Sequence, residues 1–241
     1  MTGVTSVSID QMREVDRLML EDAGISLVQM MENAGRCLAT HARGMLGGDA
    51  RGQQVVVLAG RGGNGGGGLA AARRLFVWGA TVTVVLAQSR DDMRGVPRQQ
   101  LTSVEWIGIP VRLAADGISE LLASADLVID ALIGYNLRGA PAGRVAVLIQ
   151  AANASGRPIL ALDLPSGLDG DSGEASNPTI RATETLTLAL PKRGLLAPAA
   201  RLWVGRLHLA DISVPEKVYR RLGLTVGPIF AESDIISIDL T

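Results

Sequence analysis

The stretch from Gln54 to Leu75 constrains this chain more than any other. It runs Gln54-Val55-Val56-Val57-Leu58-Ala59, then Gly60-Arg61-Gly62-Gly63-Asn64-Gly65-Gly66-Gly67-Gly68, then Leu69-Ala70-Ala71-Ala72-Arg73-Arg74-Leu75. The β-branched apolar run reads as a buried strand, and the Ala/Leu/Arg segment reads as a helix. Between them, seven of nine residues are glycine. The pattern predicts a strand, a glycine turn and a helix from about residue 68. Glycine permits positive φ and close backbone approach, and a helix start offers unpaired N–H groups to an anion. Gly60, Gly62 and Gly65 match G-x-G-x-x-G literally. A dinucleotide fingerprint also needs an acid closing the next strand. Here Thr81-Val82-Thr83-Val84-Val85-Leu86 runs into Ala87-Gln88-Ser89 instead. A P-loop needs a G-K-[ST] ending, which is absent. A turn without a ligand is the remaining reading, although one or two glycines would serve it.

The rest of the chain supplies the partners such a unit needs. Strands are predicted at 54–59, 80–86, 126–133, 158–164, 183–190 and 206–210. Helices are predicted at 68–78, 94–104, 117–124, 142–155 and 215–221. Short apolar strands alternating with helices argue for a parallel sheet covered on both faces. A length of 241 residues, 47% of them hydrophobic, suits one domain over 1–241. Upstream, Ser8 with Gln11 and Ser26 with Gln29 read as capping boxes opening two N-terminal helices. Met12, Val15 and Met19 give the first an apolar stripe; Leu27, Met30, Met31, Ala34 and Leu38 give the second one. Glu32 and Asn33 interrupt that second stripe, either solvated or bracing the glycine loop.

Composition excludes several classes. A net charge of −1 argues against a nucleic-acid or anionic-membrane surface. No apolar run reaches the roughly 18 residues of a membrane span. The N-terminus lacks a signal pattern, so the expected location is cytoplasmic. Cys37 is the only cysteine, which excludes internal disulfides and cysteine zinc sites. His41 and His208 lie far apart, neither with a second histidine or cysteine at ligand spacing, and both read as structural or surface residues.

Three later stretches put polar residues where a buried strand ends. Asp130 lies inside Leu127-Val128-Ile129-Asp130-Ala131-Leu132-Ile133-Gly134, where a carboxylate needs a partner or a cation. Asp163 closes Pro158-Ile159-Leu160-Ala161-Leu162-Asp163-Leu164, ahead of Pro165-Ser166-Gly167. Lys192 follows Thr185-Leu186-Thr187-Leu188-Ala189-Leu190-Pro191. Ligands of open α/β sheets bind beyond the carboxyl ends of the strands, so these stretches should meet the glycine loop there. Asp130, Asp163, Ser166 and the Asn64 amide are hard oxygen donors, a set that favours an alkali or alkaline-earth cation. Lys192 is one of only two lysines among 23 basic residues. A lysine can change its pKa on burial as an arginine cannot. The other reading of Lys192 is a solvated turn residue. No serine motif matches either histidine as a hydrolase triad would require.

Met31-Glu32-Asn33-Ala34-Gly35, the glycine loop, Asp130-Ala131-Leu132-Ile133-Gly134, Leu162-Asp163-Leu164-Pro165-Ser166-Gly167-Leu168-Asp169, Pro191-Lys192-x-Gly194 and Asp211-Ile212-Ser213-Val214-Pro215 follow in a distinctive order. In this the chain resembles the YjeF N-terminal domain family, from about Ser8 to Pro215. These are the NAD(P)H-hydrate epimerases, to which the apolipoprotein A-I-binding proteins belong. The resemblance implies a Rossmann-like three-layer α/β/α sandwich with a mostly parallel sheet and two N-terminal helices, usually a homodimer. It implies epimerisation at C6 of hydrated NADH or NADPH, with a hydrate dehydratase using the product. That dehydratase partner is expected to be a separate protein. One potassium ion (K+) is implied, held by Asn64, Asp130 and Ser166. The hydrate would contact Gly63, Asn64, Gly65, Gly66 and Gly67, then Gly134, Tyr135, Asn136, Leu137, Arg138, Gly139 and Ala140, and also Asp163. Asp163 and Lys192 are the candidate catalysts. The family loop commonly reads G-x-G-N-N-G-G-D-G, whereas Gly63 and Gly67 stand here for its first Asn and its Asp. A nucleotide-binding module of the same fold, without the chemistry, is the alternative that Gly67 leaves open.

Overall fold

Two helices precede the first strand, and each opens on a serine. In α1 (Ile9–Glu21) the Gln11 N–H donates to the Ser8 hydroxyl at 3.1 Å, and the Ser8 N–H donates back to the Gln11 amide oxygen at 2.9 Å. In α2 (Leu27–Met45) the Ser26 N–H donates to the Gln29 amide oxygen at 2.8 Å. The structure is a computed structural model that describes residues 4–114, 117–137 and 139–240. Strands β1 (Gln54–Ala59), β2 (Thr81–Leu86), β3 (Val111–Leu113), β4 (Leu127–Ala131), β5 (Ile159–Leu162), β6 (Glu184–Leu188), β7 (Arg206–Ala210) and β8 (Ile235–Ile238) form one sheet. Its order is β3-β2-β1-β4-β5-β6-β7-β8, parallel throughout except for the antiparallel β7–β8 pair. The α-helices α3 (Gly63–Val77), α4 (Gly95–Trp106), α5 (Ile118–Ala123), α6 (Gly143–Ala154), α7 (Arg201–Val204) and α8 (Glu216–Arg221) follow, with short 3-10 turns at Arg90–Asp92, Arg193–Leu196 and Pro198–Ala200. All six predicted strands are present; β3, β8 and α7 were not anticipated.

Alternation along β1 builds the three layers. Val55, Val57 and Ala59 pack with Leu38 of α2, Leu69 and Leu75 of α3, and Leu101 of α4. Val56 and Leu58 point to the other face, against Leu122 of α5 and Leu148 and Ile149 of α6. Successive side chains of a strand leave on opposite faces, so an unbroken apolar strand is one with helices on both sides. Among the described residues no helix is long and apolar enough to cross a membrane.

The glycine run differs from its sequence reading. It is helix from Gly63, rather than turn until residue 68, and no glycine from Gly60 to Gly68 has positive φ. These glycines serve close packing instead. A Cβ on Gly65 would lie 1.8 Å from the Gly60 carbonyl oxygen, and one on Gly68 would lie 2.5 Å from Ala131 Cβ. Across the helix pair, a Cβ on Gly35 of α2 would lie 2.5 Å from Ala70 Cβ. The first turns of α3 are therefore pressed between β1, β4 and α2. Glu32 braces the same helix further along: Arg73 and Arg74 of α3 donate to its carboxylate, with Gln100 of α4 at 2.8 Å. Asn33 points elsewhere, donating to the Ser213 hydroxyl at 3.2 Å. Sheet order reverses between β1 and β4, so the N-terminus of α3 opens at the crevice where doubly wound sheets bind ligands.

Candidate active site

A cavity of about 730 Å3 lies beyond the carboxyl ends of β1, β4, β5 and β6. Small-molecule sites have volumes of roughly 300–1,000 Å3. Asp163 and Lys192 lie side by side in its lining. Lys192 is fully buried, so the solvated-turn reading does not hold. Its Nζ donates to Asp163 Oδ1 and, at 3.1 Å, to the Leu188 carbonyl, with Thr187 Oγ1 at 3.4 Å. Thr187 Oγ1 also donates to Asp163 Oδ1 at 3.3 Å. Oδ1 is thus anchored, while Oδ2 accepts no hydrogen bond among the described residues. Oδ2 faces Gly134, where a Cβ would come within 3.4 Å of it and 3.3 Å of Asn64 Cγ. A glycine at this point keeps the carboxylate and the amide accessible.

Asp163 has φ of 68°, the left-handed region that costs a non-glycine residue on the order of 1–3 kcal/mol. Its N–H donates to the Leu186 carbonyl at 2.8 Å, which holds the turn against β6. The segment before α1 fixes the lysine loop. The Val7 N–H donates to the Pro191 carbonyl at 2.9 Å, and the Arg193 N–H donates to the Val7 carbonyl at 3.0 Å, one bond on each side of Lys192.

Sequence reasoning missed Asp16. The Tyr135 hydroxyl donates to its carboxylate, and both line the cavity. Burial raises the pKa of Asp16, with the Tyr135 hydrogen bond opposing. Burial, then the Asp16 charge, pushes the Tyr135 phenol well above its ordinary range. The signal was present: Asp16 falls on the stripe of Met12, Val15 and Met19, an acid on the buried side of an amphipathic helix.

Asp130 and Ser166 form a second cluster below the cavity. Asp130 is fully buried. Its Oδ1 accepts from Ser166 Oγ at 2.6 Å and the Leu132 N–H at 3.2 Å, and its Oδ2 accepts from the Ser166 N–H at 2.8 Å. Burial pushes its pKa up to about 6, against those hydrogen bonds. No basic side chain among the described residues pairs with it. Ser166 Oγ also accepts from the Ile133 N–H at 2.9 Å. Asn64 makes no hydrogen bond to this cluster among the described residues: its Cγ and Oδ1 adjoin Gly134, and its buried Nδ2 has no hydrogen-bond partner among the described residues. A buried carboxylate without a cationic partner among the described residues fits a hard monovalent cation.

Of the proposed contact residues, Gly63, Asn64, Gly67, Gly134, Tyr135, Asn136, Leu137, Ala140 and Asp163 line the cavity. Gly65 and Gly66 do not, because they pack against the Gly60 carbonyl and Met31 Sδ. Gly139 is exposed outside it, and Arg138 lies outside the described residues. Arg61 and Gln88, not anticipated, stand in the lining, with the Arg61 N–H donating to Gln88 Oε1 at 3.1 Å.

Over residues 27–194 the sequence matches the family described as YjeF-related protein N-terminus. The chain belongs to this family. An NAD(P)H-hydrate epimerase of Dehalogenimonas lykanthroporepellens is 47% identical, over 92% of this chain and 87% of that protein. One from Rhodopirellula baltica is 32% identical, over 90% of this chain and 88% of that protein. A bifunctional NAD(P)H-hydrate repair enzyme of Moorella thermoacetica is 37% identical over 88% of this chain, which spans only 41% of that longer protein. The crystal structure of the yeast protein ynu0 shares the fold, with a TM-score of 0.84 at 24% identity, over 98% of this chain and 100% of that one. Within the YjeF family match lie the glycine run, Asp130, Asp163, Ser166 and Lys192, while Asp16 precedes it.

Proposed function

We propose that this chain is an NAD(P)H-hydrate epimerase, interconverting the R and S forms of hydrated NADH and NADPH. The observation that carries the reading is the buried Lys192–Asp163 pair with one carboxylate oxygen left open in a nucleotide-sized cavity. The 47% identity to an enzyme of that name supports it, Gly67 notwithstanding.

Inversion at C6 requires the hydroxyl there to leave, or the ring to open, before re-addition from the other face. Loss of the hydroxyl puts a proton on its oxygen, which leaves as water, and re-addition takes one off the returning water. Ring opening instead takes the hydroxyl proton and places one on the ring nitrogen as the C6–N bond breaks, and closure reverses both. Asp163 Oδ2 is the group available for these transfers. Lys192, fixed on Oδ1, sets the carboxylate's orientation and supplies positive charge beside the reacting atoms. At the other end, the Gly63 and Asn64 N–H groups at the start of α3 suit the pyrophosphate, with Arg61 beside them.

Potassium would be held by Asn64, Asp130 and Ser166. When bound it supplies the positive charge that the buried Asp130 lacks, and so stiffens the Leu132–Gly134 segment against which Asp163 Oδ2 lies. The proposal extends to a homodimer, on the resemblance alone, and to a reducing cytoplasm, which suits the free buried thiol of Cys37. A separate dehydratase would consume the epimer produced.

The test is an NMR time course on the pure R hydrate. Appearance of the S form well ahead of the buffer control is expected. A rate equal to the control, with the hydrate bound, would remove the epimerase reading and leave a binding module.

A further inference from the structure

We propose that His41, Glu184 and His208 form a divalent-metal site, suited to Zn2+, at the opposite edge of the sheet from the cavity. The residues come from three elements: α2, the first position of β6, and the middle of β7. His41 Nε2 lies 2.7 Å from Glu184 Oε2, and His208 Nε2 lies 2.9 Å from the same oxygen. One ligand atom from each falls within 4.8 Å of the other two. Two imidazoles and a carboxylate make a zinc ligand set, with the fourth position left to water. Each histidine side chain is 14% exposed, which leaves a way in for the ion and that water.

Three further features favour metal over a plain ion-pair cluster. His208 Nε2 is buried and has no properly directed hydrogen bond among the described residues, although it lies beside Glu184. The other ring nitrogen, Nδ1, lies 3.2 Å from the Ser237 hydroxyl of β8, which turns Nε2 inward. Such outer contacts fix the tautomer and orientation of metal-binding imidazoles. Third, the Arg206 guanidinium donates to Glu184 Oε1, so Oε2 is the oxygen both imidazoles face. Arg206 is 72% exposed and can swing away without repacking.

The geometry needs only a small opening. Zinc lies about 2.0–2.2 Å from nitrogen and oxygen ligands, so tetrahedral ligand atoms stand about 3.3–3.5 Å apart. Separations of 2.7 and 2.9 Å therefore widen by about half an ångström, within side-chain reach. Imidazole nitrogens select zinc-like metals over potassium or magnesium, so this site and the oxygen-lined Asp130 cluster take different ions. Bound metal would tie α2 to β6 and β7. The same helix carries Met30, Met31 and Ala34 to the cavity.

The test uses untagged, chelator-stripped protein, because the chain has only two histidines. Long-range 15N spectra of the imidazoles are followed during a Zn2+ titration, and visible absorption during a Co2+ titration. Both imidazoles should shift together and saturate at one equivalent, and Co2+ should give the intense ligand-field bands of a tetrahedral site. His208→Gln should weaken Zn2+ binding about tenfold or more. Arg206→Ala should tighten it several-fold by removing a competing cation. Imidazoles that do not respond to Zn2+, or only one that does, would overturn the proposal. So would Co2+ spectra without tetrahedral bands. The parent spectra decide the matter even if a variant fails to fold.

Discussion

Asp163 has two oxygens with separate duties, and the difference is testable at Lys192. Lys192→Met leaves Asp163 Oδ1 with only the Thr187 hydroxyl. Breaking a buried ion pair costs about 3–5 kcal/mol of stability. The rate should fall about a hundredfold or more while the hydrate still binds, read in single turnovers on one pure epimer. A variant that turns over at the parental kcat would take Lys192 out of the mechanism. Asp16 allows a pH test. Its folded pKa is raised from 3.8, so the native state binds this proton more readily than the unfolded chain does. The ionised carboxyl therefore costs stability at neutral pH, and that cost disappears as pH falls through the folded pKa towards 3.8. Asp16→Asn should gain on the parent at neutral pH and lose that advantage on acidification, in urea midpoints followed against pH. Lys192 was legible as a rare lysine at a strand end. Asp16 was less so, since only a partner 119 residues away, Tyr135, gives its carboxylate a role.

The elements were legible where their burial was two-sided. The β1, β4 and β5 strands are almost wholly buried and, apart from Gln54 and Asp130, apolar, because helices cover both faces. By contrast, β3 has three half-buried or exposed residues at the sheet edge, and β8 is a partly exposed antiparallel edge strand, so neither carries that signal. The start of α3 was misread for a different reason. Each glycine costs a helix about 1 kcal/mol against alanine, so local preference says turn. Packing against Gly60, Ala131 and Met31 overrides it, because no larger residue lets α3 approach so closely. Two substitutions separate these effects. In Gly65→Ala the new methyl would meet the Gly60 carbonyl at 1.8 Å, a backbone atom that cannot step aside. This variant should lose on the order of 3 kcal/mol or fail to fold. In Gly66→Ala the methyl meets Met31 Sδ at 2.6 Å, the far end of a flexible side chain. Helix propensity then offsets the strain, and the change should stay within about 1 kcal/mol. Equal urea midpoints for the two variants would contradict this account of the glycine run.

At the scale of the whole molecule, the cation and the fold are linked. Asp130 lies on β4, Ser166 follows β5, and Asn64 is in the first turn of α3. Those elements converge only in the folded chain, so a potassium ion held by all three binds the native state alone. Such an ion stabilises by RT ln(1 + [K+]/Kd), about 2.7 kcal/mol at a hundred times Kd. For a chain of this length that is a rise in Tm of about 5–10 °C. The control is tetramethylammonium at the same ionic strength, which screens surface charge equally but is too large for a site walled by Asp130 and Ser166 in direct contact. Asp130→Asn removes the charge and should abolish the potassium-specific rise while keeping the side chain's shape. Zinc tests the other edge of the sheet independently: its rise in Tm should survive Asp130→Asn and vanish in His208→Gln. Identical melting curves for the parent in potassium and in tetramethylammonium would mean that the hydrogen bonds from Leu132 and Ser166 satisfy Asp130 alone.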